Sequence, residues 1–316
     1  MSFNLHYLCP KKQNMITMAN VDLHGIGVAL ITPFKEDESV DYNALYRMVD
    51  YLLENKTDYI VALGTTAETP CLFEDEKKEI TRAIVEHVDG KIPIVLGIGG
   101  NCTRKILTQI DQTDLTGVSA VLSVVPYYNK PSQEGIYQHY KTIAKEAPLP
   151  IVIYNVPGRT GTNMTAKTTL RIANDFNNII AVKEASGNIM QIGEIIQNKP
   201  AGFEVISGDD SLTFPIIELG GIGVISVTGN VFPNLFGRMV HLALEGDFQN
   251  ARLINEQLTE IYELLFVDGS PAGVKSMLSL INMVNNKLRL PLVPVRSVTL
   301  DKIRDAIKKI FPCEFV

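Results

Sequence analysis

The chain has 316 residues, of which 46% are hydrophobic and 20% charged, a composition typical of a globular protein with room for one large α/β domain and a small appendage. Its net charge of −6 at pH 7 comes without a concentrated basic stripe, which excludes the electrostatic footprint that nucleic acid or an anionic membrane requires. The four cysteines form no CxxC pair, so we expect neither a zinc site nor a disulfide framework, and we expect a cytoplasmic location.

The first segment, residues 1–20, lacks both the continuous apolar stretch and the small-residue cleavage site of a secretory signal. We interpret it as a loose N-terminal extension, or as the result of a start codon assigned too early, because Met15 and Met18 lie just ahead of the first predicted strand. No run in the chain approaches the roughly 18 apolar residues of a membrane span.

From residue 21 onward, short β-branched runs alternate with longer amphipathic segments. In chain order the runs are GVALITPF, YIVALG, IPIVLGIG, AVLSVVP, PIVIYNV, IIAVKEASG, FEVISGDD and IGVISVTGN. Continuous apolar strands separated by crossover helices predict a parallel sheet that is buried on both faces. Eight such units in roughly 225 residues predict a (β/α)₈ TIM barrel over residues 21–245, because a doubly wound sheet usually has only about five or six strands.

Between the strands, apolar residues recur at three- and four-residue intervals, which predicts helices. The clearest helical segments are Asn43–Asn55, Glu74–Val88, Thr103–Asp114 and Gln133–Ala147. From about Gly246 the strand signal disappears, and residues 246–316 are predicted to form a C-terminal α-helical subdomain. Its helices are expected at Asp247–Phe266, Ala272–Asn285 and Thr299–Ile310.

Lys183 ends the sixth apolar run, at the edge where the catalytic groups of such a barrel gather. In a strand it shares a face with Ala181 and Ile179, so its stem should point into the barrel over a small neighbour. Burial lowers the pKa of an amine, and the neutral amine is the species that attacks a ketone to form a Schiff base. The alternative is a structural ion pair. Glu184 is badly placed for it because adjacent strand residues point to opposite faces, but a more distant carboxylate would serve.

Hydroxyl groups follow three other strands at the same predicted edge: Tyr154 ends the fifth strand, Tyr128 follows the fourth, and Thr65 and Thr66 follow the second. The simplest interpretation of a single phenol at a strand end is an amphipathic residue whose ring is buried and whose hydroxyl contacts solvent. Two phenols and a pair of hydroxyls on one barrel face together predict a proton relay. No histidine lies at the end of a predicted strand, so acid–base chemistry has to come from these groups or from the lysine.

Two loops carry groups that suit an acidic substrate. Gly64 permits a tight turn that exposes the Thr65 and Thr66 hydroxyls and nearby backbone N–H groups to a carboxylate. The forked guanidinium of Arg159 suits a second carboxylate, although Arg159 could also be an ordinary surface arginine. The two aspartates of the SGDD sequence have no histidine beside them and make a poor metal site, so no metal is predicted.

Seven motifs follow one another along the chain: GVALITPF, GTTAET, PYYNKPSQEG, YNVPGRTG, VKEASG, SGDD and GVISVTGN. In their order and spacing they resemble the dihydrodipicolinate synthase family, in the N-acetylneuraminate lyase superfamily, from about Gly25 to Ile310. The resemblance implies a class I lyase that condenses pyruvate with L-aspartate 4-semialdehyde to 4-hydroxy-tetrahydrodipicolinate, in the diaminopimelate and lysine pathway. GTTAET departs from the family's usual GTTGES, so Ala67 must adopt an ordinary φ where the family has glycine.

The resemblance also implies roles for four catalytic residues. Lys183 would form a covalent imine with pyruvate, which leaves no need for another cofactor. Tyr154 would donate and accept protons, and Thr65 and Tyr128 would complete the relay. In this family the second tyrosine of PYYN reaches across a dimer interface, so Tyr128 implies an oligomer, which we expect to be a homotetramer built as a dimer of dimers.

Four further residues are expected to bind substrate. Thr66 would hold the pyruvate carboxylate, and Ile225 would contact pyruvate through its main chain. Arg159 would receive the carboxylate of aspartate semialdehyde. Gly208, in SGDD, completes the substrate-binding set.

Two other functions compete with this one. A sialic-acid or keto-sugar-acid aldolase would keep the lysine and the tyrosine of the fifth strand, but Arg159 and the double threonine favour the synthase. A non-enzymatic barrel that has kept the fold is the alternative from another class, because a fold alone proves no function. The presence of every catalytic residue type of the family argues against it.

Feedback-sensitive members of the family bind lysine at the dimer interface, and Asn101 and Tyr127 match polar groups of that pocket. Here, however, Lys105 stands where sensitive enzymes carry a glutamate, and Lys77 replaces a histidine. Two like charges about 4 Å apart repel by about 4 kcal/mol at an effective dielectric near 20. We therefore expect lysine to inhibit weakly or not at all, unless Glu74 supplies a compensating carboxylate. The alternative is that Lys77 and Lys105 are solvated helix residues that swing clear of the pocket.

Overall fold

The structure, a computed structural model, describes residues 21–310. The interpretation of residues 1–20 as an extension lies outside this part of the chain. Eight parallel strands close into a barrel in which each strand pairs with the next and the last returns to the first, so the predicted fold class is confirmed. The strands are β1 Gly25–Ala29, β2 Tyr59–Ala62, β3 Ile94–Gly97, β4 Ala120–Val124, β5 Ile151–Asn155, β6 Ile179–Glu184, β7 Glu204–Ser207 and β8 Gly223–Ser226.

Helices cover the outside of the barrel and then continue beyond it. They are α1 Tyr42–Glu54, α2 Glu74–Val88, α3 Thr103–Gln112, α4 Gln133–Glu146, α5 Pro157–Thr160, α6 Ala166–Asp175, α7 Ile189–Asn198, α8 Thr213–Glu218, α9 Pro233–Leu244, α10 Phe248–Phe266, α11 Ala272–Leu280 and α12 Ser297–Ile310. Several begin at a residue whose side chain accepts a hydrogen bond from the first turn, as Asp41 does for α1 and Ser132 for α4. No helix among the described residues is both long and apolar enough to cross a membrane.

Side chains of the strands alternate between the barrel lumen and the outer layer under the helices. On β5, Val152 and Tyr154 belong to the lumen cluster, whereas Ile151 and Ile153 pack with the outer core. This alternation brings polar side chains at the carboxyl ends of neighbouring strands over one central opening.

The prediction that Ile179 shares a face with Lys183 is wrong. The register between β5 and β6 shifts at the start of the strands, where Ile151 pairs with Ile179 but Val152 already pairs with Ala181. The extra residue turns Ile179 into the outer core and leaves Ala181 in the lumen. Lys183 still follows Ala181 with the period of two that a strand requires.

The C-terminal helices α10, α11 and α12 pack against one another, and α10 also packs along α9. The predicted helix Ala272–Asn285 ends early, at Leu280. Asn282 has a left-handed φ of 58°, and the chain turns back so that the Met283 N–H donates to the Leu278 carbonyl. The sequence pattern alone could not reveal this end because apolar residues continue through the turn.

Candidate active site

Lys183 lies at the carboxyl end of β6 with its side chain in the lumen. It is paired in register with Tyr154 of β5, and its Nζ is 4.3 Å from the centre of the Tyr154 ring. Only 5% of the residue is exposed. Among the described residues, Lys183 has no ion-pair partner within 4.0 Å, so the alternative of a structural ion pair has no support.

The Lys183 amine has a pKa far below that of an ordinary lysine. Burial lowers its pKa to about 7 because the ammonium form loses its hydration. The carboxylate of Asp210 acts in the opposite direction, and the guanidinium of Arg159 adds to the lowering. A buried amine of this kind has the unprotonated form that attack on a carbonyl carbon requires.

Glu184, the next residue, points away from Lys183 into the outer layer, as alternation predicts. Its buried carboxylate accepts hydrogen bonds from the Asn155 side chain at 3.1 Å and from the Ser186 N–H at 2.9 Å. Gln191 contributes a third donor at 3.3 Å. This network satisfies Glu184 without the lysine, which leaves the Lys183 amine free for chemistry.

Tyr154 places a phenol beside the amine. It is 6% exposed, and burial raises its pKa, while the neighbouring Thr65 hydroxyl acts in the opposite direction. Thr65 begins a short 3₁₀ turn, Thr65–Ala67, directly after β2. The residue with positive φ in this loop after the turn is Glu68, at 55°, and not Ala67, as the change from glycine to alanine predicted.

Gly208 has a packing reason to be glycine. A Cβ built on it would lie 3.0 Å from the Lys183 Cε and 2.8 Å from the Ala185 Cβ. Any side chain would therefore press on the lysine stem or its neighbour. The bare backbone at Gly208 forms part of the wall beside the amine.

A cavity of about 690 Å³ lies above the lumen, and we call it the active-site cavity. Six of the eight predicted site residues line it: Thr65, Thr66, Tyr154, Arg159, Lys183 and Gly208. Ile225 is not among the lining residues and is buried in β8, 1% exposed. Tyr128 is also absent from the lining; it is 85% exposed and has a left-handed φ of 72°.

The cavity also has lining residues that the sequence did not reveal. Tyr262 and Glu263 come from α10, and Ser270 comes from the segment between α10 and α11. The helical periodicity around Tyr262 and Glu263 predicts burial of α10 against the barrel but carries no sign that a residue faces a substrate. The C-terminal helices thus form one wall of the active-site cavity.

Asp210 is a buried carboxylate in the turn after β7, outside the lining of the cavity. Its Oδ2 accepts hydrogen bonds from the Thr228 N–H and hydroxyl, both at 2.7 Å, and from the Val227 N–H at 3.1 Å. These bonds tie the loop after β7 to the end of β8. Within residues 21–310, no group of three or more His, Cys, Asp or Glu side chains is arranged to hold a metal ion.

A second cavity, of about 650 Å³, lies between α2 and α3 and is named here the interhelical cavity. It is lined by Asn101, Lys105 and Tyr127, together with an ion pair in which Lys77 Nζ is 2.7 Å from Glu74 Oε1. Glu74 therefore neutralises Lys77, whereas Lys105 has no ion-pair partner among the described residues. The remaining charge on this side of the cavity is positive.

Comparison with known proteins agrees along nearly the whole chain. The family model described as the dihydrodipicolinate synthetase family matches residues 22–310. A 4-hydroxy-tetrahydrodipicolinate synthase of Parabacteroides distasonis is 64% identical over 293 residues, which cover 93% of this chain and 99% of that protein. A protein of the same name from Phocaeicola vulgatus is 62% identical, with the same coverage.

Solved structures give the same result. A dihydrodipicolinate synthase from Aquifex aeolicus superimposes with a TM-score of 0.88 at 39% identity, covering 92% of this chain and 99% of that one. A structure described as the first monomeric dihydrodipicolinate synthase variant also has a TM-score of 0.88, at 41% identity, covering 90% of this chain and 96% of that one. These similarities extend over both the barrel and the C-terminal helices.

Proposed function

Because this chain belongs to the dihydrodipicolinate synthetase family, we propose that its reaction runs through an imine between Lys183 and pyruvate. The protein is a lyase that condenses pyruvate with L-aspartate 4-semialdehyde to 4-hydroxy-tetrahydrodipicolinate, in the diaminopimelate and lysine pathway. It needs no cofactor beyond the covalent imine. The observation that carries the proposed mechanism is the buried Lys183 amine, which has no ion-pair partner within 4.0 Å among the described residues and stands next to a phenol.

The positions of the groups suggest how protons move. The neutral amine attacks the keto carbon of pyruvate, and Tyr154 gives a proton to the oxygen that leaves as water. Tyr154, now a phenolate, takes a methyl proton from the resulting iminium to give an enamine. The enamine carbon attacks the aldehyde of the second substrate, whose oxygen takes a proton back from Tyr154, and the amine of that substrate then attacks the iminium carbon and releases Lys183. Thr65, beside the phenol, passes protons to and from Tyr154.

The two substrate carboxylates have separate partners in this proposal. Thr66 and the backbone of its turn hold the pyruvate carboxylate, and Gly208 and Ile225 contact pyruvate through their main chains. Arg159, an exposed residue of the short helix α5 at the rim of the cavity, binds the semialdehyde carboxylate. With the guanidinium at the rim, the lumen stays free for pyruvate, the smaller of the two substrates.

Tyr128 completes the relay of a neighbouring subunit in this proposal. Its phenol is exposed and held in a left-handed backbone conformation that costs a bulky residue about 1–2 kcal/mol. A ring presented in this way suits insertion into another copy of the chain. The proposed assembly is a cytoplasmic homotetramer, with residues 21–245 as the catalytic barrel and 246–316 as its helical subdomain.

A substrate comparison tests the function directly. Purified protein is assayed with pyruvate and aspartate semialdehyde, coupled to reduction of the product, and separately with N-acetylneuraminate in a pyruvate-release assay. We expect turnover only in the first assay. Preference for N-acetylneuraminate would assign the chain to the keto-sugar-acid aldolases, and no turnover with either would favour a non-enzymatic barrel.

The rate of imine formation is expected to rise with pH. Because burial lowers the pKa of Lys183 to about 7, the neutral fraction of the amine increases as pH rises through that value. Rapid quenching with borohydride at fixed pyruvate, between about pH 5.5 and 8.5, should give a rate that climbs and then levels off. Asp210→Asn should move the rise to lower pH, because it removes the carboxylate that favours the ammonium form. A rate that does not change with pH would contradict this.

Lysine is expected to inhibit this enzyme weakly or not at all. An ammonium-bearing ligand entering the interhelical cavity meets Lys105, whose charge is not compensated, while Glu74 is already engaged by Lys77. Initial rates at saturating pyruvate should change little as lysine rises to millimolar concentrations. Lys105→Glu reverses the local charge and should increase sensitivity. Half-inhibition of the parent at submillimolar lysine would contradict the prediction.

A further inference from the structure

The turn that carries Thr65 and Thr66 is followed by a buried glutamate in an unusual backbone conformation. Glu68 has φ 55° and ψ 33°, and the residue is 1% exposed. Its N–H donates to the Thr65 carbonyl at 3.2 Å, which closes the turn. A left-handed conformation is unfavourable at a residue with a Cβ, and at a buried residue the surroundings have to compensate for it.

The groups that fix Glu68 come from the C-terminal part of the chain. One carboxylate oxygen is bound by the ammonium of Lys275, in α11, and both side chains are completely buried. The other oxygen accepts a hydrogen bond from the Arg289 N–H at 3.0 Å. Lys275 also donates to the Lys287 carbonyl at 2.9 Å, so the buried ammonium has a second oxygen partner.

This arrangement is a closed ionic contact between the barrel and the helices beyond it. Lys275 Nζ lies 4.1 Å from the centre of the Phe34 ring, which covers it with an aromatic face. Each charge depends on the other, because removal of one partner leaves an uncompensated charge away from water. The contact therefore resists small displacements of Glu68 and of the turn before it.

The turn has few other side-chain anchors. Thr32 donates to the Ala67 carbonyl at 2.8 Å, and Thr69 donates to the Gly64 carbonyl at 2.8 Å. These two neutral bonds restrain the ends of the turn. The Glu68 carboxylate is the charged anchor, and it joins residues 207 positions apart in sequence.

We propose that Glu68 is a positioning residue of the active site, whose carboxylate, held by Lys275, fixes the turn that presents Thr65 to Tyr154 and Thr66 to pyruvate. The inference rests on the proposed function, since it concerns the same relay. It gives the C-terminal helices a second part in catalysis: besides lining the cavity, they set the position of the relay hydroxyl. Neither Glu68 nor Lys275 touches substrate in this account.

The test compares Lys275→Met with Arg289→Met as a matched control. Arg289 comes from the same C-terminal segment and packs against the same Phe34 ring, at 4.4 Å, but its guanidinium binds the Glu76 carboxylate of α2 and donates to the Cys71 carbonyl at 2.9 Å. Only its backbone N–H touches Glu68, so the control removes a partly buried ion pair and a bond to the chain just beyond Glu68, and it leaves the contact between Lys275 and Glu68 in place. Both variants are compared at a temperature where circular dichroism shows them folded.

Two rates are measured: kcat for condensation, and the rate of pyruvate imine formation trapped by borohydride. For Lys275→Met we expect both to fall by roughly 10- to 100-fold, the size of effect that slight misplacement of a reacting group produces. The final yield of trapped imine should stay the same, because Lys183 is untouched. A merely structural role would lower the amount of folded protein and leave the rates per folded site unchanged. Arg289→Met should keep both rates within about twofold of the parent, well below the effect of misplacement.

Glu68→Gln provides a second route if Lys275→Met does not fold. The amide keeps the shape of the side chain and an acceptor for the Arg289 N–H, but loses the charge that holds Lys275. Its rates should fall in the same sense. The proposal is overturned if the folded variant, Lys275→Met or Glu68→Gln, keeps parental rates, or if Arg289→Met slows both rates equally. A parent that traps pyruvate but does not use the semialdehyde refutes the proposed function and leaves this comparison valid. A parent that traps no pyruvate overturns both.

Discussion

Lys183→Ala should lose condensation activity by on the order of 10³-fold or more, because no other group can form the covalent intermediate. The amine is the only one in the described residues that lines the active-site cavity. The variant should fold normally. Lys183 has no ion-pair partner within 4.0 Å among the described residues, and its buried amine loses hydration on folding.

The control for this experiment is Lys167→Ala. Lys167 is exposed on α6 and does not line the cavity, so its loss should leave kcat within about twofold of the parent, as expected for a surface substitution. Both variants are assayed with pyruvate and aspartate semialdehyde after their melting temperatures are compared. A folded Lys183→Ala protein with near-parental kcat would mean that the reaction does not pass through a covalent imine on this residue.

Tyr128→Phe is expected to reduce kcat by about 10²-fold, the size associated with loss of one positioned proton-transfer group. The substitution removes only the hydroxyl, so the aromatic ring can still pack against a neighbouring subunit. Tyr46→Phe is a suitable control. The Tyr46 ring stacks on the His87 ring in the outer helix layer, with 4.8 Å between the ring centres, and Tyr46 does not line the active-site cavity. It should leave kcat unchanged.

A mixing experiment shows whether the site is shared between subunits. When Tyr128→Phe and Lys183→Ala chains exchange, the mixed dimer has one site that combines an intact Lys183 with an intact Tyr128 from the other chain. Partial activity should therefore return, although each parent variant is inactive or nearly so. Absence of recovery after exchange has been shown, for example by mass spectrometry of the mixed assembly, would mean that each site is built from one chain.

The barrel could be predicted from the sequence because its strands are buried on both faces and so form continuous apolar runs. The faces of some strand residues and the end of one helix could not be predicted, because local changes of the backbone decide them. A single register shift placed Ile179 in the outer core, and the left-handed turn at Asn282 ended α11 before its apolar residues did. Neither event leaves a clear mark on hydrophobic periodicity.

The candidate site was also predictable only in part. The sequence predicts that Lys183, Tyr154 and Thr65 lie close together, because the carboxyl ends of all barrel strands face one opening. Tyr262 could not be predicted as a site residue, because a residue on a helix beyond the barrel gives no sequence signal that it faces a cavity. The contact between Glu68 and Lys275 joins distant parts of the chain through two charges that a sequence shows only as ordinary polar residues.

The most direct test of the central claim is to reduce the protein with borohydride in the presence of pyruvate and to map the modified peptide by mass spectrometry. Reduction turns the imine into a stable secondary amine, so the label marks the residue that captured the substrate. We predict one pyruvate-derived adduct per chain, on the peptide that contains Lys183, and none when pyruvate is omitted. A label on any other lysine, or no label on a protein that turns over both substrates, would contradict the account.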